Sequence, residues 1–308
     1  MRLLALRIRR LTYRGIVSEV EWVEVARDVF VGGYEPLTIN ICVIRDGNRL
    51  VVVDSRASAT EGAQLVADLT WFAPARVQAL INTHAHFDHT FGNQHFGYGA
   101  VTAVPIYGHC RLPAHLDQYE GPRLEAWRSG SGNEPTRDWD DVVITPPTHL
   151  VSTRQQYRLG ARRLELIPLS PGHTDTDLVV HVPDADTWVV GDVIEASGPP
   201  MFGSGCYPLE FPGSLRGLLS EISPADTIVP GHGPLVDRGF AVAQLTDITE
   251  LATRLRALHR SNATQQQAFT AIQAVPSLRV DGLELAVARA YSSLASRPAQ
   301  NEPEPAFE

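Results

Sequence analysis

Lysine is missing altogether: all 26 basic residues of this 308-residue chain are arginine. A coding bias toward arginine suffices to explain that, but the chemical consequence holds whatever the cause. A Schiff-base lysine, a lysine general base and a P-loop lysine are all excluded. Cysteine is scarce, with only Cys42, Cys110 and Cys206 at wide spacings. No CxxC pair exists, so neither a disulfide framework nor a cysteine zinc site is supported, and a reducing, cytoplasmic setting is expected. No apolar run approaches the roughly 18 residues of a membrane span, so no membrane partner is expected. Positive charge is also short, with a formal net charge of -9. Phosphate binding is driven by Arg and Lys, so nucleic acid is not expected as a partner. A small-molecule substrate is, and no pattern fixes an oligomeric state.

What remains is ordinary globular material, with 44% hydrophobic residues. The first fourteen residues carry five arginines around Leu3-Leu4-Ala5-Leu6, an apolar stretch too short for a secretory segment. Residues 1–16 read as a disordered basic leader, 17–296 as one domain with a helical C-terminal part, and 297–308 as a loose polar tail. Between them, strands and helices alternate in two blocks. Strand patterns cover much of Val20 to Val53, with an Asp46-Gly47-Asn48 hairpin turn. A helix is expected over Thr60–Phe72, then strands at Val77–Ile81 and Val101–Tyr107. Gly121 to Pro147, rich in Gly, Pro and Asp, reads as a long loop. Strands follow at Leu164–Leu169, Leu178–Val182, Trp188–Val190 and Thr227–Val229, with a second irregular loop over Ser197–Pro212. Helical patterns run over Ser214–Ile222, Phe240–Arg260, Ala268–Ile272 and Gly282–Leu294.

The chemistry-bearing residues sit where strands end. Asn82-Thr83-His84-Ala85-His86-Phe87-Asp88-His89 follows Val77–Ile81 directly. Imidazole and carboxylate suit zinc, and iron or manganese with less preference. In an extended segment His84 and His86 point to the same side and can share an ion. Asp88 and His89 lie beyond the turn and face a second. His173 and His232 each follow Pro-Gly after a strand, and Asp192 ends one after Gly191. The set His84, His86 and His173 makes one open site, and Asp88, His89 and His232 another, with Asp192 as a bridge. The other six histidines (His95, His109, His115, His149, His181 and His259) read as isolated surface residues. Trp127, Trp139, Phe202 and Tyr207, in the two irregular loops, are candidates to line a substrate pocket. They serve as readily to pin those loops to the body. Cys206 reads as an exposed loop thiol with no base beside it, and Cys42 as core.

The run His84-x-His86-x-Asp88-His89 resembles the HxHxDH signature of the metallo-β-lactamase superfamily. Asp54 after a strand, His173 in Pro-Gly-His-Thr, Asp192 in Gly-Asp and His232 in Gly-His-Gly follow in the family's order, over about residues 20–235. The resemblance implies an α+β fold, a four-layer αββα sandwich, here with added C-terminal helices. It implies two zinc ions at one sheet edge, and Asp54 as a support for the HxHxDH loop rather than a ligand. The expected reaction is hydrolysis of a thioester, ester, lactone or amide by a hydroxide shared between the ions, with Asp88 orienting it or taking a proton. Asp192 stands where lactamases of the cysteine-ligand type carry Cys. Thr174-Asp175-Thr176-Asp177 departs from the glyoxalase II pattern. The chain therefore looks closest to the broad hydrolase branch. A mononuclear iron persulfide dioxygenase-like enzyme and a non-catalytic metal-binding protein are the competing readings. The first is disfavoured by retention of the second ligand set, and the other by the lack of any ligand loss.

Overall fold

A computed structural model describes residues 12–13, 16–17, 20–131 and 138–296. The tail 297–308 and most of the 1–16 leader lie outside the described residues. Within the leader span, β1 (Thr12–Tyr13) pairs antiparallel with β2 (Ile16–Val17).

Alternating apolar residues build two facing sheets. The first has seven strands in sequence order: β3 (Trp22–Ala26), β4 (Val29–Tyr34), β5 (Ile39–Asp46), β6 (Arg49–Val53), β7 (Arg76–Ile81), β8 (Ile106–His109) and β9 (His149–Val151). The second has five: β10 (Gln155–Leu159), β11 (Arg162–Pro168), β12 (Leu178–Val182), β13 (Thr187–Gly191) and β14 (Thr227–Pro230). Strand β5 shows how the layers arise. Cys42 and Ile44 face inward, against Leu164, Val180 and Val229 of the second sheet. Ile41 and Val43 face outward, beneath Leu65 of α1 (Ala59–Asp68). Strands buried on both faces read as continuous apolar runs, as Ile39–Ile44 does.

The outer face of the second sheet is covered in the same way. Trp188 and Val190 meet Leu215 and Leu218 of α5 (Phe211–Leu219), Ile248 and Leu251 of α6 (Arg238–Arg260), Ile272 of α7 (Gln265–Gln273) and Val287 of α8 (Leu283–Ser296). Each such fully buried aliphatic side chain contributes about 1.5–3 kcal/mol relative to exposure. The four layers are thus helix, sheet, sheet, helix, with the C-terminal helices in the last. Among the described residues, no helix is long and apolar enough to cross a membrane.

Three expectations need correcting. Gly121–Arg128 is a helix, α4, entered through the short α3 (Leu112–His115) and one π-helical turn. Pro122 stands at the first turn of this helix, where its missing N–H is no loss. Pro212 likewise opens α5 rather than closing the preceding loop. The strand expected over Val101–Tyr107 is shorter and later, at β8.

The two sheets are stitched at one edge. Asn40 N–H donates to Gly231 O at 2.8 Å, and Leu178 N–H to Thr83 O at 2.7 Å. The loops after β7, β11, β13 and β14 gather there.

Candidate metal centre

The HxHxDH segment leaves β7 and turns through α2 (Phe87–Thr90). Asp54, in left-handed backbone at φ 67°, hooks its start. Its Oδ1 accepts the Thr83 N–H at 2.8 Å, and its Oδ2 accepts the Thr83 hydroxyl and the His89 Nδ1–H, both at 2.8 Å. A buried amide network backs the loop: Asn82 and Asn93 exchange hydrogen bonds, and Asn82 donates to His89 O. From the second sheet, Thr174 N–H and hydroxyl donate to Asp177, fixing the turn that carries His173. Asp177 is pushed up to about 8, because burial outweighs those hydrogen bonds.

The structure brings all seven candidate ligands together, buried. His84, His86, His173 and Asp192 make one group, and Asp88, His89 and His232 another. In the first, His86 Nδ1 lies 3.1 Å from His84 Nε2 and 3.0 Å from His173 Nε2. In the second, His89 Nε2 and His232 Nε2 are 3.3 Å apart, and Asp88 Oδ2 is 3.2 Å from His232 Nε2. Asp192 reaches both. Its Oδ2 is 3.6 Å from His84 Nε2 and from His173 Nε2, and 3.5 Å from His232 Nε2. Its Oδ1 is 3.2 Å from His89 Nε2, yet buried with no hydrogen-bond partner among the described residues.

Two observations test whether this set fits divalent ions. Nitrogen ligands about 2.0–2.1 Å from a tetrahedral centre stand roughly 3.3 Å apart, close to the separations here. The outward nitrogens are also all engaged. His84 Nδ1 meets the Thr83 hydroxyl at 3.1 Å, whose own proton goes to Asp54. His86 Nε2–H donates to Ser204 O at 3.0 Å, His173 Nδ1–H to Met201 O at 3.2 Å, and His232 Nδ1–H to Leu37 O at 2.8 Å. With Asp54 holding His89, every ring turns its second nitrogen inward. That is how protein metal sites fix histidine tautomers. The residues fit.

Charge follows the same plan. Burial, first of all, holds His84, His86 and His173 below the usual histidine range, as neutral donors. At Asp88 and Asp192 burial alone would raise the carboxyls. His89 and His232 more than offset it and hold both well below the usual range. In turn, against burial, Asp192 and Asp88 raise His89 and push His232 up to about 12. Two protons thus occupy the positive positions that cations would take. Their pKa values are raised, so both are bound throughout the neutral range and lost only as pH rises toward about 12 for His232. Metal uptake near neutral pH is expected to release about two protons per chain, one from each of these rings. Affinity should therefore weaken as pH falls. Calorimetric titration of zinc in buffers of different ionisation enthalpy measures the number, and release of none would contradict the pairing.

Two glycines make the convergence possible. Gly191 adopts φ 56°, and a Cβ there would lie 2.7 Å from Thr83 Oγ1. At Gly231 a Cβ would lie 1.8 Å from Asp192 Oδ1. Gly231→Ala is expected to push the Asp192 carboxylate aside and weaken metal affinity by about tenfold, the low end of what misplacing a supporting group costs. Equilibrium dialysis checks it.

A cavity of about 240 Å³ opens over the cluster, lined by Leu37, Phe87, Arg123, Glu195 and Met201 among others. The four loop aromatics are placed elsewhere. Trp127 and Trp139 stack at 4.4 Å and pack on Phe87 and Phe91, while Phe202 lies in the helical core. Tyr207 borders a separate cleft beside Arg289. Cys206 is buried, and burial pushes its thiol up to about 12. His115, expected at the surface, is buried and paired with Asp175 at 2.8 Å. Arg123, Glu120 and Glu195 are additions. Arg123 and Glu120 pair with each other three residues apart and both reach Ser204 across the fold, while Glu195 accepts from Ser197.

Residues 34–232 match the family described as the metallo-beta-lactamase superfamily. The chain is similar to the metallo-beta-lactamase type 2 of Bacillus sp. (strain 170), with 24% identity over 226 residues, 73% of this chain and 77% of that one. It is 29% identical over 163 residues to the probable metallo-hydrolase YqgX of Bacillus subtilis (strain 168), 52% of this chain and 70% of that one. Among solved structures, a metallo-beta-lactamase from Pontibacter korlensis aligns at TM-score 0.57 and 17% identity over 75% of this chain and 99% of its own. A double mutant of the sec-alkyl sulfatase PisA1 aligns at TM-score 0.71 and 17% identity, over 93% of this chain and 52% of its own.

Proposed function

We propose that this chain, which belongs to the metallo-beta-lactamase superfamily, is a dinuclear metal-dependent hydrolase of a small ester, thioester, lactone or amide. The observation that carries the reading is the shared carboxylate. Asp192 lies within 3.6 Å of imidazole nitrogens from both ligand groups, so the two groups form one site rather than two.

His84, His86 and His173 would hold one ion, and Asp88, His89 and His232 the other, with Asp192 between them. Two such ions would supply polarisation of a carbonyl and an acidified water. The chain's own residues do the rest. Asp88 faces the cavity as an ionised carboxylate, hydrogen-bonded toward His232, and can orient a water or take its proton at Oδ. Leu37 and Phe87 give the cavity wall apolar surface beside the cluster. No side-chain nucleophile is called for, and the thiol of Cys206 is buried and kept protonated.

The test is metal quantification followed by a panel of thioesters, lactones, β-lactams and a secondary alkyl sulfate on the same sample. Two zinc-type ions per chain with turnover of one class support the reading. One iron per chain with oxygen consumption would replace it with the oxygenase reading. Full metal loading with no turnover of any class would leave a metal-binding protein.

A further inference from the structure

The geometry points to Arg123 as the residue that selects substrates, by clamping an anionic group, a carboxylate above all, beside the bond to be cut. This deepens the hydrolytic reading and rests on it for the reaction, while recognition of the anion stands on the cavity alone.

Among the described residues, Arg123 is the only Arg or Lys on the cavity wall, and the other charged side chains there apart from histidines are Asp88, Asp192, Glu195 and Asp281. Its position follows from α4. The helix brings residue 123 over Phe87, with the guanidinium 5.7 Å from the Phe87 ring centre and 5.5 Å from that of Trp127. Phe87 stands in the chain between His86 and Asp88. The cation is therefore one side chain away from both candidate ligand groups.

The guanidinium is held from behind. Nε is 3.1 Å from Oε2 of the fully buried Glu120, and Nη2 donates to Ser204 Oγ at 2.6 Å. Ser204 passes its own proton to Glu120 Oε1 at 2.9 Å, closing the bracket. Nη1 has no hydrogen-bond partner among the described residues, and the side chain is 30% exposed toward the cavity. A bracketed arginine with one free edge loses little freedom on binding, and a carboxylate is the group that its fork matches. If Arg123 only tied α4 to the 197–210 loop, the Glu120 and Ser204 contacts would suffice, and its placement on the cavity wall would have no use.

The experiment compares mono-4-nitrophenyl glutarate with its methyl ester, the same molecule with the carboxylate capped. It uses the zinc-loaded protein, Arg123→Gln, Arg123→Lys and the double variant E120Q/R123Q, since Arg123→Gln alone strands a buried carboxylate. The parent protein is expected to prefer the anionic ester by about tenfold or more, expressed in KM, the size that a charge-assisted hydrogen bond commands. The preference should vanish in both Gln variants and survive in part in Arg123→Lys. In parallel, saturation-transfer NMR on chelator-stripped protein should detect glutarate but not glutaramide, and lose the glutarate signal in the Gln variants. Equal KM values for the two esters in the parent, or a glutarate signal indifferent to Arg123, overturns the proposal. Arg123-dependent glutarate binding without turnover of either ester sustains it and sinks the hydrolytic reading instead.

Discussion

Asp192→Ala is expected to cut turnover by about three orders of magnitude or more, the several kcal/mol of transition-state charge stabilisation that a metal pair supplies. The cause is geometric. One carboxylate stands within 3.6 Å of nitrogens from both ligand groups, so its removal opens both together. It also strips the first of the two acidic partners that raise His232, leaving it Asp88, and leaves His89 with Asp88 and Asp54. Metal content by mass spectrometry should fall from two ions per chain to one or fewer, while circular dichroism stays that of a folded protein. Retention of two ions with more than a tenth of the parent kcat would show that the two ligand groups do not depend on a shared carboxylate.

The second large effect is expected at a residue that touches no ion. Asp54→Ala leaves three buried donors unpaired: the Thr83 N–H, the Thr83 hydroxyl and the His89 Nδ1–H. Breaking such a buried charged hub costs about 3–5 kcal/mol of stability. Loss of the orienting partner should also weaken metal binding by about 10–100-fold. Asp54→Asn separates the two effects. An amide can keep one acceptor for Thr83, so much of the stability should return, but not the charge facing His89. Urea unfolding of the metal-free protein and competitive chelation of the loaded one read the two quantities independently. If Asp54→Ala binds metal as tightly as the parent, Asp54 is merely a loop residue.

The candidate site was more legible in the sequence than the cavity above it, for a physical reason. Ligand residues are few, chemically distinctive and tied to strand ends. His84 to His89, His173, Asp192 and His232 could be picked out from short motifs, and the structure brings these seven side chains together. Asp54 was legible only through resemblance, since a lone Asp after a strand has many uses. The cavity wall was not legible, because its members meet across the fold. Arg123 reaches Ser204, 81 residues away. Of the two uses open to the loop aromatics, Trp127, Trp139 and Phe202 take the packing one. Burial of a large apolar surface favours packing against Phe87 and Phe91, or into the helical core, over facing an aqueous cavity. The α-helix at Gly121–Arg128 was hidden by a Gly-Pro pair that marks a helix start as readily as a turn.

The helical layer reaches further than its place on the outer sheet would indicate. Asp281, just before α8, lies on the cavity wall and exchanges backbone hydrogen bonds with the opposite lip: Phe202 N–H donates to its carbonyl at 2.9 Å, and its own N–H to Pro200 O at 3.0 Å. The matched family span ends at residue 232, so this lip is leashed by chain that lies beyond it. The position of this lip is thereby tied to the chain between α7 and α8, whose apolar faces pack on the second sheet. Because His173 Nδ1–H donates to Met201 O on that same lip, sequence change around Asp281 is expected to reach the candidate ligand cluster as well as the cavity wall.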